Sequence, residues 1–307
     1  MKGTIIRSTG SWYEIAGEDH KIYRGRLKGK FKIKDLKVTN PIAVGDIVRF
    51  EKENEKEDTV AISEILPRKN YIIRQSVHKS AHGHLIASNI DQTVLVVTLT
   101  MPRTSPGFVD RFLVSAETFR IPAVIVFNKL DLYDEESKKY LDEFLSIYSD
   151  LGYTCLKTSC VTGEGIPELK KIMKGKTTLI SGHSGVGKST LVNLLIPGLN
   201  LATTEISNFA NKGVHTTTFA ERFTIEEDTF LIDTPGIKEL GVFEIGNDEL
   251  SHYFPEMRAM LNECKFNDCR HINEPKCAVI EKVATGEIAR SRYESYLSIL
   301  LGEDNRK

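Results

Sequence analysis

The segment 182–189, Gly-His-Ser-Gly-Val-Gly-Lys-Ser, constrains the fold of this 307-residue chain more than any other feature of its sequence. It lies between a β-prone stretch at 177–180 and an apolar, helix-prone stretch at 190–196. A strand, a glycine loop and a helix in this order cradle phosphates, because backbone N–H groups and the positive end of the helix converge on one point. The segment therefore predicts a nucleoside triphosphate site in an α/β domain.

Two side chains of this loop are expected to carry chemistry. Lys188 is predicted to reach the β- and γ-phosphates and to take part in catalysis, and the Ser189 hydroxyl is predicted to ligate Mg²⁺. The predicted phosphate-binding residues are Gly182, His183, Ser184, Gly185, Val186, Gly187, Lys188, Ser189 and Thr190.

The run Asn-Lys-Leu-Asp at 128–131 indicates guanine as the base. It follows a predicted buried strand, and a carboxylate at Asp131 can accept hydrogen bonds from both N1–H and the exocyclic amine of guanine. Adenine would leave that acceptor unpaired at a cost of about 1–3 kcal/mol. Asn128 can bond the base edge and tie neighbouring loops together, the Lys129 stem can lie over the ring, and a backbone N–H at 158–160 can meet guanine O6. The predicted base-binding residues are Asn128, Lys129, Leu130, Asp131 and Ser159.

Two further segments complete the predicted nucleotide site. The run Asp-Thr-Pro-Gly at 233–236 follows a short apolar strand, so Asp233 is expected to hold Mg²⁺ through water and the Gly236 N–H to sense the γ-phosphate. The stretch 213–218 lies where a loop threonine binds Mg²⁺ when the γ-phosphate is present. Thr217 is the predicted ligand, with Thr216 and Thr218 as alternatives.

The first 67 residues contain five short β-rich stretches separated by turn signals, which indicates a small barrel or sandwich. Residues 21–37 contain eight Lys or Arg and one acid, as expected of a surface that contacts a phosphate backbone. The alternative is that alternating lysines only protect an edge strand from aggregation, and the acidic run 51–58 offsets most of the local charge. The predicted RNA-binding residues are Lys21, Arg24, Arg26, Lys28, Lys30, Lys32 and Lys34.

Residues 75–240 alternate solidly apolar strands with amphipathic helices, which predicts a doubly wound sheet covered on both faces. The remainder is predicted to be helical around a cysteine cluster. Near its end an apolar face recurs at helical spacing, and we expect it to pack on that segment's own core. The face consists of Ala289, Tyr293, Tyr296, Leu297 and Leu300.

Three cysteines and a histidine fall within fourteen residues: Cys264, Cys269, His271 and Cys277. Cys₃His is a tetrahedral ligand set for one structural Zn²⁺, with no position left for water. The alternative is buried thiols beside a surface histidine. The other two cysteines, Cys155 and Cys160, are expected to be packing or loop residues.

Composition removes several classes of protein. A formal charge of −1 selects no partner, and the longest aliphatic run, 94–97, is far shorter than a membrane span. The first residues lack the apolar core of a signal peptide, and an odd number of cysteines, five, argues against a disulfide framework. We expect a cytoplasmic multidomain protein that does not bind membranes.

The order of the motifs is circularly permuted with respect to Ras-like GTPases, which place the phosphate loop first and Asn-Lys-x-Asp after Asp-x-x-Gly. With a small N-terminal barrel and a C-terminal Cys/His cluster, the chain resembles the ribosome small-subunit-dependent GTPase A family (RsgA, YjeQ, YloQ). The resemblance implies an OB-fold RNA-binding barrel at 1–70, a circularly permuted Ras-like P-loop GTPase domain at 71–240, and a mainly helical zinc-binding domain at 241–307. It further implies binding to GTP and GDP, to the 30S subunit and to its 16S rRNA, and we expect the protein to be a monomer. Such a protein hydrolyses GTP to GDP and phosphate, with stimulation by the subunit, during late 30S maturation.

The group that activates the attacking water is left open by the sequence. Ile237 occupies the position at which Ras-type enzymes have glutamine, and it can neither donate nor accept a hydrogen bond. His215 is the catalytic candidate within the chain, and a group supplied by the ribosome is the alternative. If neither acts, the protein is a GTP-bound RNA-binding module with negligible turnover. A permuted GTPase of the large subunit is disfavoured by the barrel and the cysteine cluster together.

Overall fold

The computed structural model describes residues 1–28, 40–53, 59–75, 83–199, 201, 220–233 and 245–303. Its strands are β1 Lys2–Ser8, β2 Tyr13–Gly17, β3 Ile22–Leu27, β4 Ile47–Lys52, β5 Thr59–Ile65, β6 Tyr71–Gln75, β7 Gly83–Ser88, β8 Gln92–Val97, β9 Ala123–Phe127, β10 Thr154–Lys157, β11 Thr177–Ser181, β12 Glu221–Glu226 and β13 Thr229–Asp233. Its helices are α1 Pro106–Thr118, α2 Glu135–Asp150, α3 Ile166–Met173, α4 Lys188–Leu195, α5 Pro255–Arg258, α6 Ala278–Thr285 and α7 Arg290–Leu300. Single 3₁₀ turns occur at Leu130–Leu132 and Leu250–Tyr253.

The first five strands close into a barrel. They pair in the order β1-β2-β3-β5-β4, and β4 pairs again with β1. Alternate residues point inward, so Ile5, Ile15, Phe50 and Ile62 are fully buried at the centre. Closure leaves no unpaired sheet edge around this small core. The predicted OB-type barrel is confirmed.

The central sheet has the order β10-β9-β8-β11-β13-β12, in which only β12 is antiparallel to its neighbour. Helices α1 and α2 cover one face, with Phe112 and Phe144 in the core there. Helices α3 and α4 cover the other face through Leu169 and Leu191. The doubly wound arrangement is therefore as predicted. Since the first five strands of this order are parallel, their carboxyl ends meet at one edge.

The C-terminal helices form a separate core that also reaches the central domain. Tyr296 and Leu300 of α7 are buried in it together with Val114, which belongs to α1. The expectation that α7 packs only on its own segment is thus incomplete, because part of its apolar face covers α1. None of the helices described combines the length and hydrophobicity that crossing a bilayer requires.

A buried ionic network fastens this C-terminal core to α1. The guanidinium of Arg292, on α7, donates to Asp110 Oδ1 on α1 at 2.6 Å and to Glu256 Oε1 on α5 at 2.7 Å. Tyr148 on α2 donates to the same oxygen of Asp110 at 2.8 Å. The side chains of Arg292 and Asp110 are 1% and 0% exposed. Four helices therefore depend on one buried cation.

We predict that Arg292→Ala lowers the free energy of unfolding by about 3–5 kcal/mol, because it leaves two carboxylates buried without their cation. The matched control is Arg290→Ala, since Arg290 is 85% exposed and, among the described residues, its ion pair is with Glu294 on the same helix. That pair is expected to be worth under about 1 kcal/mol. Urea denaturation followed by circular dichroism measures both variants, and equal losses would contradict the assignment.

Candidate nucleotide and metal sites

The phosphate loop joins β11 to α4 and depends on glycine at a close approach. Gly187 has φ +93°, and a Cβ placed on it would lie 2.5 Å from Asn128 Nδ2. Any larger residue there would be strained and would push the base-binding loop away. The Lys188 ammonium donates to the carbonyls of Gly182 and His183, the second at 2.8 Å. The lysine predicted to contact phosphates thus lies across its own loop.

The side chain of Asn128 connects three of the loops at this edge. It is 1% exposed. Its Nδ2 donates to the Val186 carbonyl of the phosphate loop at 2.8 Å, and its Oδ1 accepts from the Thr158 hydroxyl, after β10, at 3.0 Å. The loop-tying role expected of Asn128 is what this geometry provides, and the amide is engaged by protein on both sides.

Lys129 adopts a left-handed conformation with φ +65° and extends towards the loop that follows β8. Its ammonium donates to the Met101 carbonyl at 2.8 Å. Partial burial lowers the pKa of Lys129. The Lys129 side chain is therefore held at its backbone end by its own loop and at its ammonium end by Met101. Its methylene groups span the gap between the two loops, where they were expected to lie over the base. Leu130 begins the 3₁₀ turn that follows.

Ser159 supports Asp131 rather than offering its own N–H. Its hydroxyl donates to Asp131 Oδ1, which orients the exposed carboxylate, and its backbone N–H donates to the Glu164 carbonyl at 3.0 Å. The N–H of Cys160, the next residue, has no hydrogen-bond partner within the described chain. Among residues 158–160, Cys160 is thus the one whose N–H is left available in the described chain. The predicted donor lay within 158–160, a range that includes Cys160.

The predicted Mg²⁺ ligands lie on adjacent elements. Asp233 ends β13 and pairs in register with Ile180 of β11, directly before the phosphate loop. Ser189 and Thr190 lie in the first turn of α4. A hydroxyl and a carboxylate from these two positions form an oxygen donor set that suits Mg²⁺. Several predicted residues lie outside the described part of the chain: His215, Thr216, Thr217, Thr218, Gly236 and Ile237.

The four predicted zinc ligands come together. The ligand atoms of Cys264, Cys269, His271 and Cys277 all lie within 4.8 Å of one another. His271 Nδ1 is 3.6 Å from Cys264 Sγ and 3.3 Å from Cys277 Sγ, and those two sulfurs are 3.9 Å apart. A tetrahedral zinc with bonds of about 2.3 Å to sulfur and 2.0 Å to nitrogen needs separations of roughly 3.5–3.8 Å. The cluster could therefore hold a zinc ion.

The loop that bears these ligands is held by the surrounding side chains. The Glu274 carboxylate accepts from the backbone N–H groups of Arg270 and Ile272, each at 2.8 Å. The Tyr293 hydroxyl of α7 donates to the His271 carbonyl at 2.7 Å. Burial raises the pKa of Cys269 to about 12, so a cation is needed to make its thiolate the stable form.

The described part of the basic stretch forms an exposed patch on the barrel. The Arg24 guanidinium stacks on the Trp12 ring at 4.5 Å and that of Arg26 lies 5.8 Å from it. Arg26 also pairs with Glu53, whereas no ion pair to Arg24 is found among the described residues. Lys21 and Lys28 are exposed, and Lys30, Lys32 and Lys34 lie outside the described residues. Trp12 was not among the RNA-binding residues predicted from the sequence.

This fold and site define a circularly permuted P-loop GTPase with an N-terminal barrel and a C-terminal cysteine cluster. The sequence model for the RsgA GTPase matches residues 65–243, and that for the RsgA N-terminal domain matches residues 2–60. The chain belongs to the RsgA GTPase family.

The similarity between this chain and known proteins extends over nearly the full length of both. A small ribosomal subunit biogenesis GTPase RsgA of Cytophaga hutchinsonii is 54% identical, with 100% of each chain covered. One from Bacteroides fragilis is 49% identical, covering 100% of this chain and 98% of that protein. The crystal structure of YjeQ from Thermotoga maritima has a TM-score of 0.79 at 37% identity, and the match covers 100% of this chain and 99% of that chain. The crystal structure of YloQ, described as a circularly permuted GTPase, has a TM-score of 0.74 at 30% identity, and the match covers 100% of this chain and 96% of that chain.

We predict that the purified protein contains about one zinc per chain, because four donors leave a single closed tetrahedral site. Cys277→Ser removes one buried ligand and is expected to reduce the zinc content by more than half and to lower the unfolding midpoint. Cys155→Ser, outside the cluster, is the control and should keep its zinc. Inductively coupled plasma mass spectrometry measures the metal; unchanged zinc in Cys277→Ser would contradict the assignment.

Proposed function

We propose that this protein binds the small ribosomal subunit and hydrolyses GTP to GDP and phosphate there, during late maturation of the subunit and with stimulation by it. The observation that carries the proposal is full-length similarity to small ribosomal subunit biogenesis GTPases, together with the loops gathered at one sheet edge. The guanine site supplies the nucleotide specificity, and the barrel and the cysteine cluster supply two further surfaces.

Catalysis in this site is mainly positioning and charge stabilisation. The backbone N–H groups of 184–188 and the Lys188 ammonium bind the β- and γ-phosphates. Ser189, and Asp233 through water, would hold Mg²⁺, which would supply positive charge to offset the negative charge that develops on the phosphate groups. Thr217, or one of its neighbours, completes the site when the γ-phosphate is present, and the Gly236 N–H then contacts that phosphate.

The attacking water requires a separate group. Because Ile237 has no polar atom on its side chain, hydrolysis by the free protein should be slow. His215 is our candidate to orient the water when the protein docks on the subunit. A group contributed by the subunit is the alternative, and the experiment below distinguishes the two.

The barrel supplies the RNA contact in this proposal. A guanidinium stacked on an indole ring keeps its N–H edge available to phosphate oxygens while the ring fixes its plane. Arg24 on Trp12 has this arrangement and no competing carboxylate among the described residues. We assign contact with 16S rRNA to this patch and to the lysines that continue the basic stretch.

The division of labour follows three proposed domains: 1–70 for RNA, 71–240 for GTP and 241–307 for zinc. We propose that the protein acts as a monomer. Each domain has its own buried core in the described chain, so none of the three needs a second copy of the chain to bury its apolar residues.

We predict that purified small subunits raise GTP turnover at least tenfold, equivalent to about 1.4 kcal/mol of barrier. Ser189→Ala should abolish turnover with and without subunits, because it removes an Mg²⁺ ligand. His215→Ala should remove the stimulation if the water is oriented from within the chain. Steady-state phosphate release measures all three proteins.

Two controls accompany this assay. Large subunits should give no stimulation, and replacement of the exposed His252 in the C-terminal segment by alanine should leave turnover unchanged. If small subunits do not stimulate the wild type and hydrolysis stays at background, the protein is a GTP-bound RNA-binding module instead. If His215→Ala is stimulated normally, the activating group comes from the subunit.

We predict that Arg24→Gln weakens binding to small subunits several-fold and reduces the slope of log affinity against log salt by about one, as expected for one lost phosphate contact. Lys171→Gln on α3 is the matched control, because it removes an exposed charge far along the chain from the barrel. Filter binding over a range of salt concentrations measures both, and an unchanged salt slope for Arg24→Gln would remove this residue from the RNA contact.

A further inference from the structure

The loop between β8 and α1, residues 98–105, lies against the phosphate loop and is held by paired backbone and side-chain bonds. Thr104 is 1% exposed. Its N–H donates to the Thr98 carbonyl at 2.8 Å, and the Thr98 N–H donates to Thr104 Oγ1 at 3.1 Å. The same Oγ1 is 2.6 Å from His183 Nε2 in the phosphate loop. This threonine therefore connects the end of β8 to the second residue of the phosphate loop.

The direction of each hydrogen bond follows from its partners. His183 Nδ1 is 3.1 Å from the Ser184 carbonyl oxygen, which can only accept. Nδ1 therefore carries the proton, and in a neutral ring Nε2 has the lone pair. Nε2 then accepts from the Thr104 hydroxyl, whose oxygen already accepts from the Thr98 N–H. The result is a one-way chain of three hydrogen bonds that ends on a carbonyl of the phosphate loop.

The electrostatic surroundings keep this ring neutral. Burial lowers the pKa of His183, the nearby ammonium groups of Lys188 and Lys129 lower it further, and only the bond to the Ser184 carbonyl opposes them. The Phe108 ring, on the first turn of α1, packs almost perpendicular to the imidazole with 5.3 Å between ring centroids. Hydrogen bonds on both nitrogens and this aromatic contact leave the imidazole a single orientation.

Orientation of the Ser184 carbonyl determines where the next N–H points. In a planar trans peptide the C=O and the following N–H face in opposite directions. A carbonyl held on the His183 side therefore turns the Gly185 N–H away from His183, and Gly185 tolerates the required φ of +85°. We propose that His183 is a positioning residue that, held by Thr104, aims the Gly185 N–H at the β-phosphate of the bound nucleotide.

The proposal rests on the guanine-nucleotide site of the proposed function and not on the ribosomal partner. Nucleotide affinity measured without ribosomes therefore tests it separately. Thr104→Val keeps the shape of the side chain and removes the hydroxyl. We expect its affinity for GDP to fall about fivefold, equivalent to the roughly 1 kcal/mol of one hydrogen bond. Affinity for GMP, which has no β-phosphate, should not change, and Thr104→Ser should restore GDP binding.

The loop offers a matched control. The Thr100 hydroxyl is buried and has no hydrogen-bond partner among the described residues, so Thr100→Val removes the same group without breaking a bond. It should bind GDP as the wild type does. His183→Phe keeps a ring against Phe108 and removes both of its hydrogen bonds, so it should lose GDP affinity at least as strongly as Thr104→Val. Adding Thr104→Val to His183→Phe should cause no further loss, because the two act through one chain of bonds.

Isothermal titration calorimetry with GDP and GMP measures these affinities, and thermal unfolding shows whether each variant is folded. Unchanged GDP affinity in a folded Thr104→Val would overturn the proposal. Equal losses for GDP and GMP, failure of Thr104→Ser to restore binding, or additive losses in the double variant would each do the same. All of these results are independent of whether small subunits stimulate hydrolysis.

Discussion

The buried amide of Asn128 is the contact on which the nucleotide site depends. It joins its own loop to loops 30 and 58 residues further along the chain, through the Thr158 hydroxyl and the Val186 carbonyl. Strand neighbours in a sheet are chosen by backbone hydrogen bonds and apolar burial, not by chain order. Circular permutation can therefore change the order of these loops in the sequence while each loop stays at the same edge of the sheet. The side-chain amide of Asn128, bonded on both sides, then holds the three loops together.

Helix α1 brings the nucleotide site and the C-terminal core into contact with one rigid element. Its first turn presents Phe108 to His183 of the phosphate loop, and Asp110, less than one turn later, binds Arg292 of α7. The next residue of α7, Tyr293, donates to the His271 carbonyl in the metal-binding loop. A helix transmits displacement along its axis with little bending, so the phosphate loop and the cysteine cluster are separated by only a few directly bonded groups.

Helices and strands that bury a continuous apolar surface could be predicted from the sequence, whereas some strands with mixed polar and apolar residues could not. Helix α4, Lys188–Leu195, contains all but the last residue of the stretch 190–196 that was expected to be helical, and Pro197 follows that stretch. Strand β12 was not expected because its two apolar residues, Phe223 and Ile225, lie among polar ones, unlike the solidly apolar strands expected in this domain, and the β6–β7 hairpin lacks a recognisable turn motif. In the site, the motifs located the loops, but the use of Ser159 as a support for Asp131 depends on hydrogen bonds that no motif encodes.

The free energy needed to bury the charge of Arg292 bears on whether this ionic network stabilises the fold or orients its helices. Removing one guanidinium and two carboxylates from water is unfavourable, and apolar side chains of similar volume are often as stable or more so. An apolar contact between α1 and α7 would, however, permit sliding and rotation, because dispersion has little directionality. Forked bonds from one planar group to Asp110 and Glu256 define both the distance and the angle between the helices. The network is therefore better understood as fixing the orientation of the C-terminal core on the GTPase domain than as adding to its stability.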